Sequence, residues 1–351
     1  DRAKVIISTL LKNKNISEKE MKKAFDELEE FLKNHNKYKS VSARYFIDWI
    51  YTQTPEGILK SKKDLLIRST LNPRIQKIVN NTVSDKMKSI NKNIQVAVVV
   101  MDYSGSVKAL KGGKNWKESK FNRATQSKRQ VGSIFKTYVY LTALNNGISI
   151  HDIISDTPIK RKEWSPKNFG NKYEGKITIK RAFAKSSNVV AVKLSDKIGR
   201  DLIIKQMKKL GVTSKIPNEP SIALGVASMS LLEVVGSYAP ICDNGKPIIP
   251  YGIKEIILRN GTSYWKRISP KRKKIINNSI QYNIKKLLSE VVKQGTAKKL
   301  SKVPFEILGK TGTTQGNRDA WFIGCAKGHV IGIWNGRDDD KSMQNVYGST
   351  L

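Results

Sequence analysis

The chain has 351 residues, with 65 lysines and arginines against 29 aspartates and glutamates, a formal net charge of +36, 39% hydrophobic residues and two cysteines. This composition supports a packed core and excludes intrinsic disorder, and no run of about 18 apolar residues offers a membrane span. The lysines are spread along the whole length, and the densest cluster, Lys271-Arg272-Lys273-Lys274, lacks interleaved aromatics; no specific nucleic-acid partner is expected, and a general attraction to anionic polymers or lipid head groups fits better.

The sequence opens on Asp1 without a signal peptide and reads as a fragment of a longer protein. Residues 1–13 place Val5, Ile6, Leu10 and Leu11 on a helical period. Ser17 and Glu20 have the spacing of a capping box, and the helix they open carries Met21, Ala24, Phe25, Leu28, Phe31 and Leu32 on one face, ending at His35-Asn36-Lys37. A third short helix, residues 45–51, stops at Thr54-Pro55-Glu56-Gly57. These helices are too small to fold alone. Residues 1–61 are therefore expected to be the helical tail of an upstream domain plus a linker, and 62–351 a domain of their own.

From residue 62 the pattern changes. Residues 65–70 read as a strand, and Asn72-Pro73 as the N-cap and first position of a helix carrying Ile75, Ile78, Val79 and Val83. Residues 94–101, a turn at Tyr103-Ser104-Gly105 and residues 107–110 form a hairpin, its first strand apolar enough to be buried on both faces. Helical patterns dominate residues 133–206, and strands return at 306–310, 320–326 and 330–335. That order predicts an α+β fold: an antiparallel sheet covered by helices, with a helical lobe, and with the N- and C-terminal strands paired in one sheet.

Three short motifs carry candidate chemistry. Ser133 and Lys136 sit three apart at the head of an apolar helical run, so a lysine base could reach a serine nucleophile on the same face. Alone this spacing carries little weight, since an N-capping serine beside a solvated lysine gives the same letters. Ser186-Ser187-Asn188 precedes a second helical run and alone reads as an N-cap. Gly309-Lys310-Thr311-Gly312-Thr313-Thr314 lies in a strand whose small residues permit close approach of a ligand backbone. The three histidines have no metal-ligand spacing and no Ser-His-Asp triad is evident. Asp338-Asp339-Asp340 reads as a solvated turn, because consecutive carboxylates on a strand end point to different sides. Cys242 and Cys325 read as buried small hydrophobes; one pair so far apart does not establish a disulfide. Trp116 reads as either cleft lining or core packing, and Arg318 with Asp319 as an ion pair closing a hairpin.

In this order, S-x-x-K, S-x-N and K-T-G resemble the serine penicillin-recognising superfamily, the S-x-N form fitting penicillin-binding proteins. Phe121-Asn122-Arg123-Ala124-Thr125-Gln126, residues 185–193, Pro220-Ser221-Ile222-Ala223-Leu224-Gly225, Gln294-Gly295-Thr296-Ala297 and residues 309–322 are similar to bifunctional (class A) penicillin-binding proteins. The similarity runs from about residue 62 to the end, and residues 1–60 resemble the last helices of that family's glycosyltransferase domain with its linker.

The resemblance implies a β-lactamase/transpeptidase-like fold and a D,D-transpeptidase that cross-links peptidoglycan stem peptides and is acylated by β-lactams. Ser133 would be the nucleophile, Lys136 its general base with a lowered pKa, Ser186 a proton relay and Asn188 a holder of Lys136 and of the substrate amide. Lys310 would supply positive potential for the terminal carboxylate, Thr311 and Thr313 hydroxyls to it, and Gly312 close backbone approach; the N–H groups of Ser133 and Thr313 would form an oxyanion hole. The resemblance also implies donor and acceptor stem peptides and β-lactams as partners, further partners in cell-wall synthesis, no cofactor and no metal. It implies a place on the outer face of the bacterial cytoplasmic membrane, through an anchor outside this sequence. The alternative is a D,D-carboxypeptidase or a β-lactam-hydrolysing enzyme of the same fold. Glu163 and Glu174 lie between the first two motifs, but in no recognisable deacylation motif. Relatives usually continue into a final helix over the sheet, so apolar surface is expected to be exposed there.

Overall fold

The computed structural model describes residues 2–37, 42–54, 56–59, 64–160, 164–258, 260–344 and 346–348. The chain divides into two compact units, Asp1–Ser42 and Ala43–Leu351. In the first, α1 (Arg2–Lys12) precedes α2 (Glu18–Lys37). The capping box forms: Glu20 Oε2 accepts from the Ser17 N–H at 2.8 Å, and the Glu20 N–H reaches Ser17 Oγ at 3.3 Å.

The second unit begins ahead of the 61/62 boundary expected from sequence. The reason is α3 (Arg44–Gln53), whose Tyr45, Phe46, Trp49 and Ile50 are buried in the core of this unit. Tyr45 Oη donates to Ser119 O at 2.7 Å and Trp116 Nε1 to Asp48 at 2.6 Å. Trp116 thus ties α3 to the body of the unit.

A short helix α4 (Glu56–Leu59) leads to β1 (Leu65–Ser69). Asn72 then caps α5 (Pro73–Lys88): its Oδ1 accepts from the N–H groups of Arg74 and Ile75, with Pro73 at the first turn, where no donor is needed. The hairpin follows as β2 (Ile94–Asp102) and β3 (Val107–Lys111). After β4 (Arg129–Gln130), a 3-10 turn, Gly132–Phe135, runs straight into α6 (Lys136–Asn145). Next come β5 (Ile153–Asp156) and β6 (Gly175–Thr178), then α7 (Ile179–Ala184), α8 (Asn188–Ile198) and α9 (Arg200–Lys209). A short β7 (Ser228–Met229) precedes α10 (Leu231–Cys242), and β8 (Ile253–Leu258) pairs with β9 (Ser263–Lys266) across the Asn260-Gly261 turn. The chain closes with α11 (Asn278–Lys293), β10 (Leu308–Thr313), β11 (Asp319–Ala326) and β12 (His329–Arg337).

Five strands form an antiparallel sheet in the order β10-β11-β12-β2-β3. β12 pairs with β2 along its full length, from His329 opposite Asp102 to Arg337 opposite Ile94, so the early and late strands meet as the sequence order predicts. β1 does not join them; it pairs with β8 in a separate three-stranded sheet, β1-β8-β9. The stretch in which helical patterns dominate also contains the β5–β6 ribbon. β2 is buried on both faces for a visible reason. Its Ala97, Val99 and Met101 enter the main core, while Val96, Val98 and Val100 pack with Ala109 under Val79 and Val83 of α5.

Four expectations need correction. Cys242 at the end of α10 and Cys325 in β11 are joined by a disulfide, stapling the helix to the sheet. Arg318 does not pair with Asp319. Its guanidinium goes to Asp340 at 2.9 Å, while Asp319 turns inward and accepts from Trp334 Nε1 at 2.9 Å and Thr314 Oγ1 at 3.1 Å. The acidic run is not merely solvated: Asp338 holds the buried Arg123, Asp339 holds Arg337, and Asp340 holds Arg129 and Arg318. On the outer face of β10 and β11 no strongly exposed apolar side chain appears among the described residues, because half-buried Phe322 lies across Gly309 and Gly324.

Candidate active site

The turn carrying Ser133 is set by three crossing backbones. β4 pairs with β7, and the contact continues as Val131 N–H to Ala227 O at 3.1 Å and Gly132 N–H to Gly225 O at 3.0 Å. Gly132 has φ +53, and a Cβ there would lie 2.6 Å from Thr313 O; Gly225 has φ +82, and a Cβ there would lie 1.9 Å from Gly132 O. Only residues without side chains allow this approach. The result presses the Ser133 turn against the end of β10.

In the 3-10 turn, positions three apart eclipse, which puts Ser133 and Lys136 on one side. Ser133 is half-buried, and its hydroxyl makes no hydrogen bond among the described residues. Lys136 is fully buried. Its Nζ donates to Ser186 O and to Asn188 Oδ1, each at 2.6 Å, and to Ser186 Oγ at 3.2 Å. Ser186 adopts a left-handed φ of 57, a strained setting for a non-glycine residue of the kind that concentrates at functional sites.

Lys310, on β10, is also fully buried and sends its Nζ to the same Ser186 Oγ at 3.0 Å and to Thr311 O at 2.9 Å. Four side chains, from α6, the turn leading into α8 and β10, thus converge, with Ser186 Oγ between two lysines. Gly312 faces the Ser133 turn, where a Cβ would come within 2.8 Å of Ile134 and of Val131 O. The Thr311 hydroxyl is 2.5 Å from that of Thr296, and the Thr313 hydroxyl accepts from the Gly348 N–H at 3.3 Å.

Burial drives Lys136 well below the ordinary lysine value, and the neighbouring Lys310 charge pushes the same way against a weaker pull from Asp156. Burial alone pushes Lys310 down to about 7. Two ammonium groups sharing one hydroxyl would repel, so the arrangement favours one lysine neutral, the state a base must have.

The sequence reading missed Asp156 and Asn168. Both are buried, and both bond to the Ser186-Ser187-Asn188 turn. They lie outside regular periodicity, in a strand end and a loop, so no local pattern marks them.

The sequence model of the penicillin binding protein transpeptidase domain matches residues 96–345. The chain belongs to this family. Among its relatives, a penicillin-binding protein 1A of Rickettsia typhi is 32% identical over 282 residues, covering 71% of this chain and 36% of the relative. A penicillin-binding protein 1A of Aquifex aeolicus is 35% identical over 246 residues, covering 68% and 34%. This chain therefore spans about a third of the length of these relatives. The crystal structure of penicillin-binding protein 1A from Haemophilus influenzae superposes with a TM-score of 0.80 at 19% identity, over 99% of this chain and 73% of that one. PonA1 of Mycobacterium tuberculosis gives 0.77 at 20%, over 88% and 87%. These likenesses show the fold: helices packed on antiparallel sheets, as in β-lactamases and transpeptidases. It is a D,D-transpeptidase-type domain of the class A penicillin-binding proteins.

In this penicillin-binding domain Glu174 is committed elsewhere. Its carboxylate takes Arg181 at 2.8 Å, and that hydrogen bond holds its pKa below the usual range, which weakens it as a base. Glu163 lies outside the described residues.

Proposed function

We propose that this domain transfers the acyl group of a D-alanyl-D-alanine stem peptide to an acceptor amine, through an ester on Ser133. The observation that carries the reading is the convergence of two pKa-lowered lysines on Ser186 Oγ beside the Ser133 turn. Neutral Lys136 takes the Ser133 hydroxyl proton as Oγ attacks the penultimate carbonyl. The N–H groups of Ser133 and Thr313 receive the oxyanion, each donor contributing about 3 kcal/mol in the transition state. The proton passes from Lys136 through Ser186 to the leaving amine, and D-alanine departs. An acceptor amine then attacks the ester, returning its proton along the same route and restoring the Ser133 hydroxyl. Asn188 holds Lys136 and faces the substrate amide, while Lys310, Thr311 and Thr313 hold the terminal carboxylate beside Gly312.

β-Lactams acylate Ser133 by the same attack, the nitrogen of the opened ring taking the proton and staying attached to the acyl group. Donor and acceptor stem peptides are the partners, with other cell-wall synthesis proteins, at the outer face of the cytoplasmic membrane. The transfer reading is favoured over carboxypeptidase or β-lactamase action because Glu174, the described glutamate between the first two motifs, is held by Arg181. Residues 1–61 belong to the end of a glycosyltransferase domain and its linker, the α3 part of that linker packing into the same compact unit as residues 62–351, which carry the transpeptidase. Labelling with a fluorescent penicillin followed by mass spectrometry tests the site: one adduct on the Ser133 peptide is expected, lost in Ser133→Ala. Labelling that survives this substitution would overturn the assignment.

A further inference from the structure

Asn188 must offer its Oδ1, not its amide nitrogen, to Lys136, and something outside the three motifs decides this. The Asn188 Nδ2 donates to Lys167 O at 2.7 Å, which turns the carbonyl oxygen toward Lys136 Nζ. The next residue, Asn168, reaches under the same turn. Its Oδ1 accepts from the N–H groups of Asn188 at 2.8 Å and Val189 at 3.2 Å, taking up free donors in the first turn of α8. Asn168 is itself held: its Nδ2 donates to Asp156 Oδ1 at 2.8 Å and to Lys172 O at 3.0 Å. Asp156 Oδ1 also takes the Ser187 hydroxyl at 2.6 Å, and Oδ2 takes the Glu174 N–H at 3.0 Å. The Ser187 oxygen accepts in turn from Val190 N–H at 3.1 Å. Asp156, Asn168 and Ser187 are all buried.

The geometry points to Asp156 and Asn168 as positioning residues that set the orientation of Asn188 and so of Lys136. The β5–β6 ribbon, which carries Asp156 and borders the loop holding Asn168, is then a brace for the second motif rather than decoration on the helical lobe. A general buried hydrogen bond would stabilise the fold without caring which partner donates. This pair has a defined polarity: Asn168 donates to Asp156 and accepts from Asn188, and reversing either end leaves two acceptors or two donors facing. The inference rests on the proposed role of Ser133 and Lys136, and is tested so that the two can fail separately.

The test is a double-mutant cycle on the full chain, read as the rate of Ser133 acylation by a fluorescent penicillin per active site, with melting temperature measured beside it. Asn168→Asp sets two carboxylates against each other and is expected to slow acylation by more than about tenfold. Asp156→Asn keeps one accepting oxygen and turns the other into a donor, so it is expected to slow acylation less. The combined exchange, Asn168→Asp with Asp156→Asn, restores one donor facing one acceptor and leaves Ser187 an acceptor within reach, since its Oγ is already 3.2 Å from Asn168 Oδ1, but takes from Lys172 O the donor it has at 3.0 Å. It is expected to acylate faster than Asn168→Asp alone, though more slowly than the parent. If Asn168→Asp does not fold, Ser187→Ala, which removes the hydroxyl linking Asp156 to α8 without adding charge, gives the same slowing. Variants that melt earlier yet acylate at the parent rate per active site would overturn the inference, as would an exchanged pair no faster than the slower single variant. A parent chain that takes no label on Ser133 would overturn the functional reading and this inference with it.

Discussion

The pH dependence of acylation should report Lys310 directly. Its ammonium has no carboxylate among its hydrogen-bond partners in the described residues, only Ser186 Oγ and Thr311 O, and burial pushes it down to about 7. If the positive charge recruits the ligand carboxylate, the second-order acylation constant of the free enzyme falls above pH 7 by about tenfold per unit, or roughly fifty-fold between pH 7 and pH 9. Lys310→Arg keeps a charge that does not titrate in this range, so the falling limb should vanish even if the plateau drops. The same shift has a stability signature. The unfolded chain keeps this proton up to its ordinary value near 10.5, while the folded chain releases it near 7. Between those limits the unfolded state binds more protons, so stability rises with pH, by on the order of 5 kcal/mol across the whole window, and is lowest below pH 7. Stopped-flow acylation with a fluorescent penicillin from pH 5.5 to 9.5, with melting curves in the same buffers, measures both. A parent rate that stays flat or rises from pH 7 to 9, or an identical limb in Lys310→Arg, refutes the reasoning.

Gly225→Ala adds a Cβ 1.9 Å from Gly132 O at a left-handed φ, so the Ser133 turn must move; acylation should fall at least about tenfold, alongside a destabilisation of about 2 kcal/mol or more, and an unchanged rate in a folded variant would contradict the crossing-backbone account. Breaking the Cys242–Cys325 bond, with 83 residues of separation, should cost about 2–4 kcal/mol and lower the melting temperature by several degrees under reducing conditions; equal melting with and without reductant would show that the staple contributes nothing. Thr296→Val removes the partner of the Thr311 hydroxyl, and the apparent affinity for a carboxylate-bearing β-lactam should weaken by about two- to tenfold with little change in maximal acylation rate; a change confined to the maximal rate would place Thr296 elsewhere in the reaction.

What was legible in the sequence is what is local. The Ser17–Glu20 box and the Asn72-Pro73 cap are closed within three residues, so their letters carry their structure. β2 was legible because both its faces are filled by valine and alanine. Arg318 and Asp319 misled for an elementary reason: adjacent residues entering a strand point to opposite sides, so the carboxylate went inward to Trp334 and the guanidinium outward to Asp340. β1 could not be assigned to its sheet, because its partner β8 is separated from it by the whole hairpin and helical lobe and neither strand alternates strongly enough to name the other.

The three motifs were legible as letters, but the letters do not contain the property that makes them chemically useful. A lysine in a chain with 65 basic residues is unremarkable until burial raises the cost of its charge. That burial comes from α6, whose residues 136–144 are all enclosed, and from β10, buried from Leu308 to Gly312. The Ser186 hydroxyl that both lysines reach is aimed by a left-handed residue in a turn braced from β5 and from the loop before β6. Electrostatics at this site is therefore a tertiary product: Lys136 and Lys310 are 50 and 124 residues from Ser186, on opposite sides of it in sequence, and only the packed unit brings them to one oxygen. A variant that loosens the brace without touching any motif letter should then behave as a motif variant, and Asn168 is where the two descriptions can be told apart.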